Sequence, residues 1–286
     1  MSLILVGIAT AHAVLDAWSG YGAYVEWLRG SGAYINDKLI IGTHSAFVDG
    51  RVKGVFLREG ARLEALELLA VIPPELMFSG GMCAVAEDID AALRNASDHR
   101  QPWLDIMRDV FDPPSAALPN YWHKYAKELL RGLPPYDIER HEEAYRWYCK
   151  PEASVGSKWS DDRWLAARRA FLLQLTRSTS QFGADDSPGS LSVVPFFDAF
   201  NHCGGDCENV GMEHAKNGSM LLHAHKDVVD GSQLFLFYTG ASPDLLRDYG
   251  FVSARGGDQH APRPAASAPR PPTHCAHAPW RAHVCA

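Results

Sequence analysis

Short apolar runs of strand length stand on both sides of a long stretch of helical texture, and this order is the strongest constraint on the fold. Val52, Val55 and Leu57, then Leu68 to Ile72 ahead of Pro73-Pro74, have strand length and turn-residue borders. Residues 85 to 176 change period: Trp122, Tyr125, Ala126, Leu129 and Leu130 form one apolar stripe at helical spacing, and Trp164, Ala167, Phe171 and Leu175 another. Ser160 is placed to cap the second, with Asp161 and Asp162 in its first turn. After a Gly/Ser/Asp/Pro loop at 181–190, strand texture returns in Leu191 to Phe197, Met220 to His225 and Leu234 to Tyr238, with a turn at Asp230-Gly231. Strands, helices and strands again predict an α+β domain whose sheet region is interrupted by a helical insertion. A helix is also expected from Tyr21, Tyr24, Val25 and Leu28, stopped by Gly30 and Gly32.

Composition narrows the function. Hydrophobic residues at 47% and charged residues at 21% describe a globular chain. No apolar run reaches the roughly 18 residues of a membrane span, so no membrane partner is expected. The net charge of −7 argues against direct nucleic-acid binding. Arg255, Arg263, Arg270 and Arg281 face only Asp258 in residues 254–286, so the rest of the chain is more acidic than the total and suits a basic partner surface. That tail, rich in Ala and Pro without Ile, Leu, Phe or Tyr, is read as disordered. Six scattered cysteines do not make a disulfide framework and are expected as reduced thiols of an intracellular protein. The apolar start ending Ala11-His12-Ala13 resembles a signal peptide but lacks the leading Lys or Arg.

Three blocks carry chemistry: V-P-F-F-D-A-F-N-H at 194 to 202, D-G-S-Q-L-F-L-F-Y at 230 to 238 and L-L-R-D-Y-G-F-V at 245 to 252. In this order they resemble the C-terminal half of a SET domain. The nearest resemblance is to the split-domain subfamily of the Rubisco large-subunit lysine methyltransferases and the actin histidine methyltransferase. Tyr24 to Arg29 resembles that subfamily's opening helix, Lys53-Gly54-Val55-Phe56 with Leu69 to Pro73 its first strands, and Trp164 to Ser178 the helix leading to its cofactor-contacting arginine.

The resemblance implies small β-sheets with pseudoknot-like C-terminal threading, split by the insertion. It implies a helical segment at 1–44, a SET domain at 45–253 with the insertion at about 83–180, and the tail from 254. It implies S-adenosylmethionine as cofactor and a protein substrate, with lysine or histidine as acceptor. By the same resemblance Tyr238 is the catalytic tyrosine; Arg177, Asp198, Asn201, His202 and Tyr249 belong to the cofactor site; and Phe251 walls the acceptor channel. Methyl transfer from a sulfonium needs alignment and a neutral nucleophile, and an apolar aromatic channel supplies the neutral amine by lowering its pKa.

Departures from the family pattern leave a second reading, a degenerate or truncated SET-fold interaction module. Tyr238 is followed by Thr239-Gly240 instead of directly by glycine. Only Gly54 remains of the first loop's two glycines, with Val52 in the other's place, so no residue of that loop is assigned. The Pro/Ala tail stands where the subfamily has a C-terminal helical domain, so either the chain is truncated or its substrate contacts come from the inserted helices. His202, Cys203, Cys207 and His214 are spaced too loosely for zinc, and the tail's His274, Cys275, His277, His283 and Cys285 are read as compositional. A metal hydrolase built on Asp198, Asn201 and His202 lacks further ligands, and His223 with His225 on one strand face does not complete it.

Overall fold

The computed structural model describes residues 15–17, 20–44, 53–109, 119, 149, 161–180, 190–229, 231–238 and 242–249. Residues 1–13, the stripe from Trp122 to Leu130, Ser160, the 181–189 loop, Phe251 and the tail from 254 lie outside the described residues.

The chain opens with β1 (Leu15–Ala17) and α1 (Tyr21–Gly30). Tyr21, Tyr24, Val25 and Leu28 form the buried face of α1, the i, i+3, i+4, i+7 pattern of an amphipathic helix. Burying each such side chain contributes about 2 kcal/mol. Gly32, at φ +90°, ends the helix, and the Ala33 N–H returns to the Leu28 carbonyl at 2.9 Å. Then follow β2 (Tyr34–Ile35), β3 (Leu39–His44), β4 (Lys53–Leu57), β5 (Leu68–Ile72) and β6 (Phe78–Gly80). Residues ahead of 45 therefore supply strands as well as the expected helix.

The helical stretch contributes α2 (Met82–Arg94), α3 (Gln101–Asp109) and α4 (Asp161–Arg177). Beyond it lie β7 (Ser178–Ser180), β8 (Leu191–Val193), β9 (Asn201–His202), β10 (Val210–His214), β11 (Met220–Ala224), β12 (Gln233–Leu236) and α5 (Ser242–Tyr249).

Among the described residues these strands form three small sheets, ordered β1-β3-β4-β12-β9, β10-β11-β5-β2 and β6-β8-β7. Early and late strands are thus neighbours. β12 lies antiparallel to β4, with Leu234 opposite Val55, and parallel to β9, with Phe235 opposite Asn201 and Leu236 opposite His202. The buried Asn209 side chain locks this arrangement. Its Nδ2 donates to the Gln233 carbonyl at 3.0 Å, and its Oδ1 accepts from the Phe235 N–H at 2.7 Å.

One core runs under the sheets through Leu28, Leu39, Val55, Phe56, Phe78, Trp103, Val193, Phe200 and Leu234. A smaller cluster of Ala86, Ala167, Phe171 and Leu172 joins α2 to α4, where the two alanines allow close approach.

Two sequence expectations change. The apolar run from Leu191 predicts a strand through Phe197, but the strand ends at Val193. Pro195 has no N–H for a ladder, Phe196 takes a left-handed conformation at φ +71°, and Phe197–Ala199 forms a single helical turn. The four cysteines among the described residues also differ from free thiols: Cys83 is bridged to Cys149 and Cys203 to Cys207, with Cα separations of 5.1 and 5.8 Å. Cys203 and Cys207 therefore do not offer two thiolates to a metal.

Candidate functional site

The turn at Phe196 sets the site. Its backbone N–H is held by the Tyr24 hydroxyl oxygen at 2.7 Å, so α1 clamps a left-handed residue that costs on the order of 1–3 kcal/mol. The chain reverses there and delivers Asp198, Asn201 and His202 in succession. Asn201 projects back to β4, where its Nδ2 donates to the Lys53 carbonyl at 2.9 Å. His202 turns to the end of β12, where its Nδ1 accepts the Tyr238 N–H at 3.0 Å. That bond makes Nδ1 the unprotonated nitrogen, and burial lowers the pKa of the ring.

Tyr238 stands just past β12 in an aromatic group. Its ring centroid is 4.7 Å from that of Tyr249, on α5, and 5.3 Å from that of His202. Its hydroxyl donates to the Phe200 carbonyl. Burial pushes its pKa above the ordinary tyrosine value. Arg177 pulls it down and Asp198 adds to the rise, and the net effect keeps the phenol protonated.

A cavity of about 350 Å³ opens beside this group. Its wall includes Arg177 from the end of α4, Asp198, Tyr238 and Tyr249, and, from the side of β10, Glu208 and Gly211. Arg177 donates from Nη1 to its neighbour Thr176 Oγ1 at 2.7 Å. Asp198 receives the Trp103 indole N–H on Oδ2 at 2.9 Å, while its buried Oδ1 has no hydrogen-bond partner.

Burial raises the Asp198 pKa to about 6. The Arg177 guanidinium, the Trp103 bond and the nearby backbone N–H groups of Asp198 and Phe196 pull the other way without cancelling it. None of these lowering contacts gives Oδ1 a hydrogen bond of its own.

This carboxyl has a pH signature. Its folded pKa stands above the ordinary 3.8, so the native state holds a proton that the unfolded chain releases between about pH 4 and 6. Its contribution to stability is greatest below that window and is lost as pH rises through it. A shift of this size corresponds to roughly 3 kcal/mol at most. Asp198→Asn is expected to remove the slope. In urea titrations at pH 4 and 7, the stability of the variant relative to the parent should rise with pH. A constant difference would show that Asp198 does not titrate in this range.

Four of the seven residues expected from sequence, Arg177, Asp198, Tyr238 and Tyr249, line one cavity despite their separation along the chain. Asn201 and His202 do not line it; they sit behind Tyr238 and against β4. Phe251 is outside the described residues. Sequence reasoning did not find Trp103, Glu208 or Gly211, and it weighed His225 only as a metal ligand. His225 lines the same cavity, with Nδ1 3.7 Å from Glu208 Oε1. Gly211 has a sequence signal only in retrospect. It pairs with His223 across β10 and β11, and a Cβ there would strike the Nε2 atoms of both His223 and His225.

No family model matches the chain, and no curated protein matches it. Solved structures do. The SET domain of LSMT bound to lysine and AdoHcy is similar with a TM-score of 0.58 at 15% identity, over 82% of this chain and 57% of that one. The SET domain of LSMT bound to MeLysine and AdoHcy gives 0.60 at 14% identity, over 84% and 58%. Rubisco LSMT bound to sinefungin and monomethyllysine gives 0.57 at 16% identity, over 83% and 57%. The chain spans under three fifths of the length of these neighbours, and at this identity the likeness shows the fold: mixed helices and small sheets arranged as in a SET domain.

Proposed function

We propose that this SET-fold chain is an S-adenosylmethionine-dependent protein N-methyltransferase whose acceptor is a protein lysine, with histidine as the alternative acceptor. One observation carries the reading: residues from 177 to 249 converge on a single cavity, which pairs an aromatic group with a cation and a separate carboxylate. The solved neighbours carry AdoHcy with lysine or methyllysine, which supports the same reading.

The residues present suit the cofactor. An amino-acid end needs a positive group for its carboxylate and a negative group for its ammonium, and Arg177 and Asp198 are both on the cavity wall. Asn201 and His202, on β9 and bonded to Lys53 of β4 and to the end of β12, are assigned to the adenine end, and Tyr249 to the wall of the cofactor site. When bound, S-adenosylmethionine supplies the methyl group as an electrophilic sulfonium.

The chain's own residues do the rest. The Tyr238 proton is committed to the Phe200 carbonyl, so the phenol oxygen presents lone pairs to the N–H of an acceptor amine and aligns it. Burial among Tyr238, Tyr249 and Phe237 disfavours the ammonium form, and the amine enters neutral after losing its proton to solvent. Phe251 is assigned to the outer wall of this channel.

The test is transfer of labelled methyl from S-adenosylmethionine to lysine-rich acceptor proteins, with the labelled residue identified by mass spectrometry. Methyl-lysine or methyl-histidine is the expected product. A folded chain that binds the cofactor but labels no acceptor protein would overturn the enzyme reading in favour of an interaction module.

A further inference from the structure

Among the described residues, α3 of the helical insertion is linked to the cavity wall through Trp103. Trp103 on α3 is fully buried, and its ring packs on Phe78 of β6 at 5.5 Å between centroids. The Arg100 guanidinium covers the Phe78 ring at 3.8 Å and is itself paired with Asp98 at 2.9 Å. The indole is thereby fixed in place, and its N–H points at Asp198 Oδ2, 2.9 Å away. An indole N–H only donates, so this bond is strongest when Asp198 is ionised.

The groups facing that carboxylate come from several elements. Arg177 lies at the end of α4, Tyr24 on α1 and Tyr238 beyond β12, and the backbone N–H groups of Phe196 and Asp198 are close by. Glu208 and His225 line the same cavity. Among the hydrogen bonds of the described residues, Trp103 is the side-chain donor to Asp198, and Oδ1 has no partner.

We propose that Trp103 is a positioning residue for the candidate site, its indole N–H holding the Asp198 carboxylate ionised and in place beside Arg177 and Tyr238. Docking of α3 then sets the charge on the cavity wall. The functional meaning rests on the methyltransferase reading, in which the ionised carboxylate attracts the ammonium of the cofactor's amino-acid end. The local chemistry does not depend on it.

Two measurements separate these layers. The first follows the indole N–H resonances of the full chain by NMR from pH 4.5 to 8, with the Trp103 signal assigned by its loss in Trp103→Phe. That signal is expected to titrate with a midpoint near 6, and to stop titrating in Asp198→Asn. A Trp103 signal that ignores pH would overturn the proposal.

The second measures S-adenosylhomocysteine affinity against pH. Trp103→Phe keeps the aromatic packing and removes the donor, so the Asp198 midpoint should move up by about one unit. Binding should be about fivefold weaker than the parent at pH 6, where about half of the parent's Asp198 but only about a tenth of the variant's is ionised, and return to the parent value by pH 9. A deficit of the same size at both pH values would show a merely structural role and overturn the proposal. A folded parent chain that binds no S-adenosylhomocysteine at any pH would contradict the methyltransferase reading, leaving the indole titration to decide the link between Trp103 and Asp198.

Discussion

Tyr238→Phe is expected to leave S-adenosylhomocysteine affinity within about twofold of the parent and to cut methyl transfer by about a hundredfold. The ring is held by packing that phenylalanine keeps, against the rings of Tyr249 and His202, and by a backbone N–H bond to His202 Nδ1 that the substitution does not touch. What is lost is the hydroxyl, which donates to the Phe200 carbonyl and in the proposed mechanism offers its oxygen to the acceptor. Losing an interaction made at the transferring centre lowers kcat rather than ground-state binding. Unchanged turnover in the variant would remove Tyr238 from the mechanism.

The second large effect concerns a residue without a side chain. Gly54 lies in β4, and a Cβ there would collide with Gln233 Nε2 and stand 2.8 Å from Asn201 Nδ2. Both neighbours must move: the Gln233 amide, at the end of a flexible side chain, swings aside, and Asn201 has a bond to lose. Gln233 is buried in β12, and Asn201 Nδ2 is engaged with the Lys53 carbonyl. Gly54→Ala is therefore expected to destabilise the chain by about 1–3 kcal/mol through overpacking. It should also weaken cofactor binding by about tenfold by displacing Asn201. Gly22→Ala is the control: its Cβ meets nothing within 4 Å, and alanine in a helix is favoured over glycine by about 0.5–1 kcal/mol. Denaturant midpoints and S-adenosylhomocysteine affinities of both variants check this. Parent-like cofactor affinity in Gly54→Ala would contradict the assignment of Asn201 to the cofactor.

The α1 face, β4, β5, β11 and most of α4 were legible in the sequence because each rests on local period. The register of β12 between β4 and β9 was not. It is set by contacts across more than 170 residues and by the Asn209 side chain, and neither leaves a trace in local pattern. The end of β8 was misread because an apolar run does not announce a left-handed Phe196, whose conformation depends on the distant Tyr24 hydroxyl. The same limit applies to the site. Arg177, Asp198, Tyr238 and Tyr249 were named from motif order, and the fold places them on one cavity. Trp103 was invisible because its partner lies 95 residues away and its own neighbourhood reads as an ordinary amphipathic helix. Gly54 was noticed only as the survivor of a glycine pair, whereas its steric reason lies in β12 and β9.

The central claim is that the cavity and the Asn201–His202 segment together form an S-adenosylmethionine site. Calorimetric titration of the purified chain with S-adenosylmethionine and, separately, S-adenosylhomocysteine tests it most directly. One site with dissociation constants on the order of micromolar for both ligands is the expected result. A chain shown to be folded that gives no binding heat with either ligand, and no competition between them in a fluorescence assay, would contradict it.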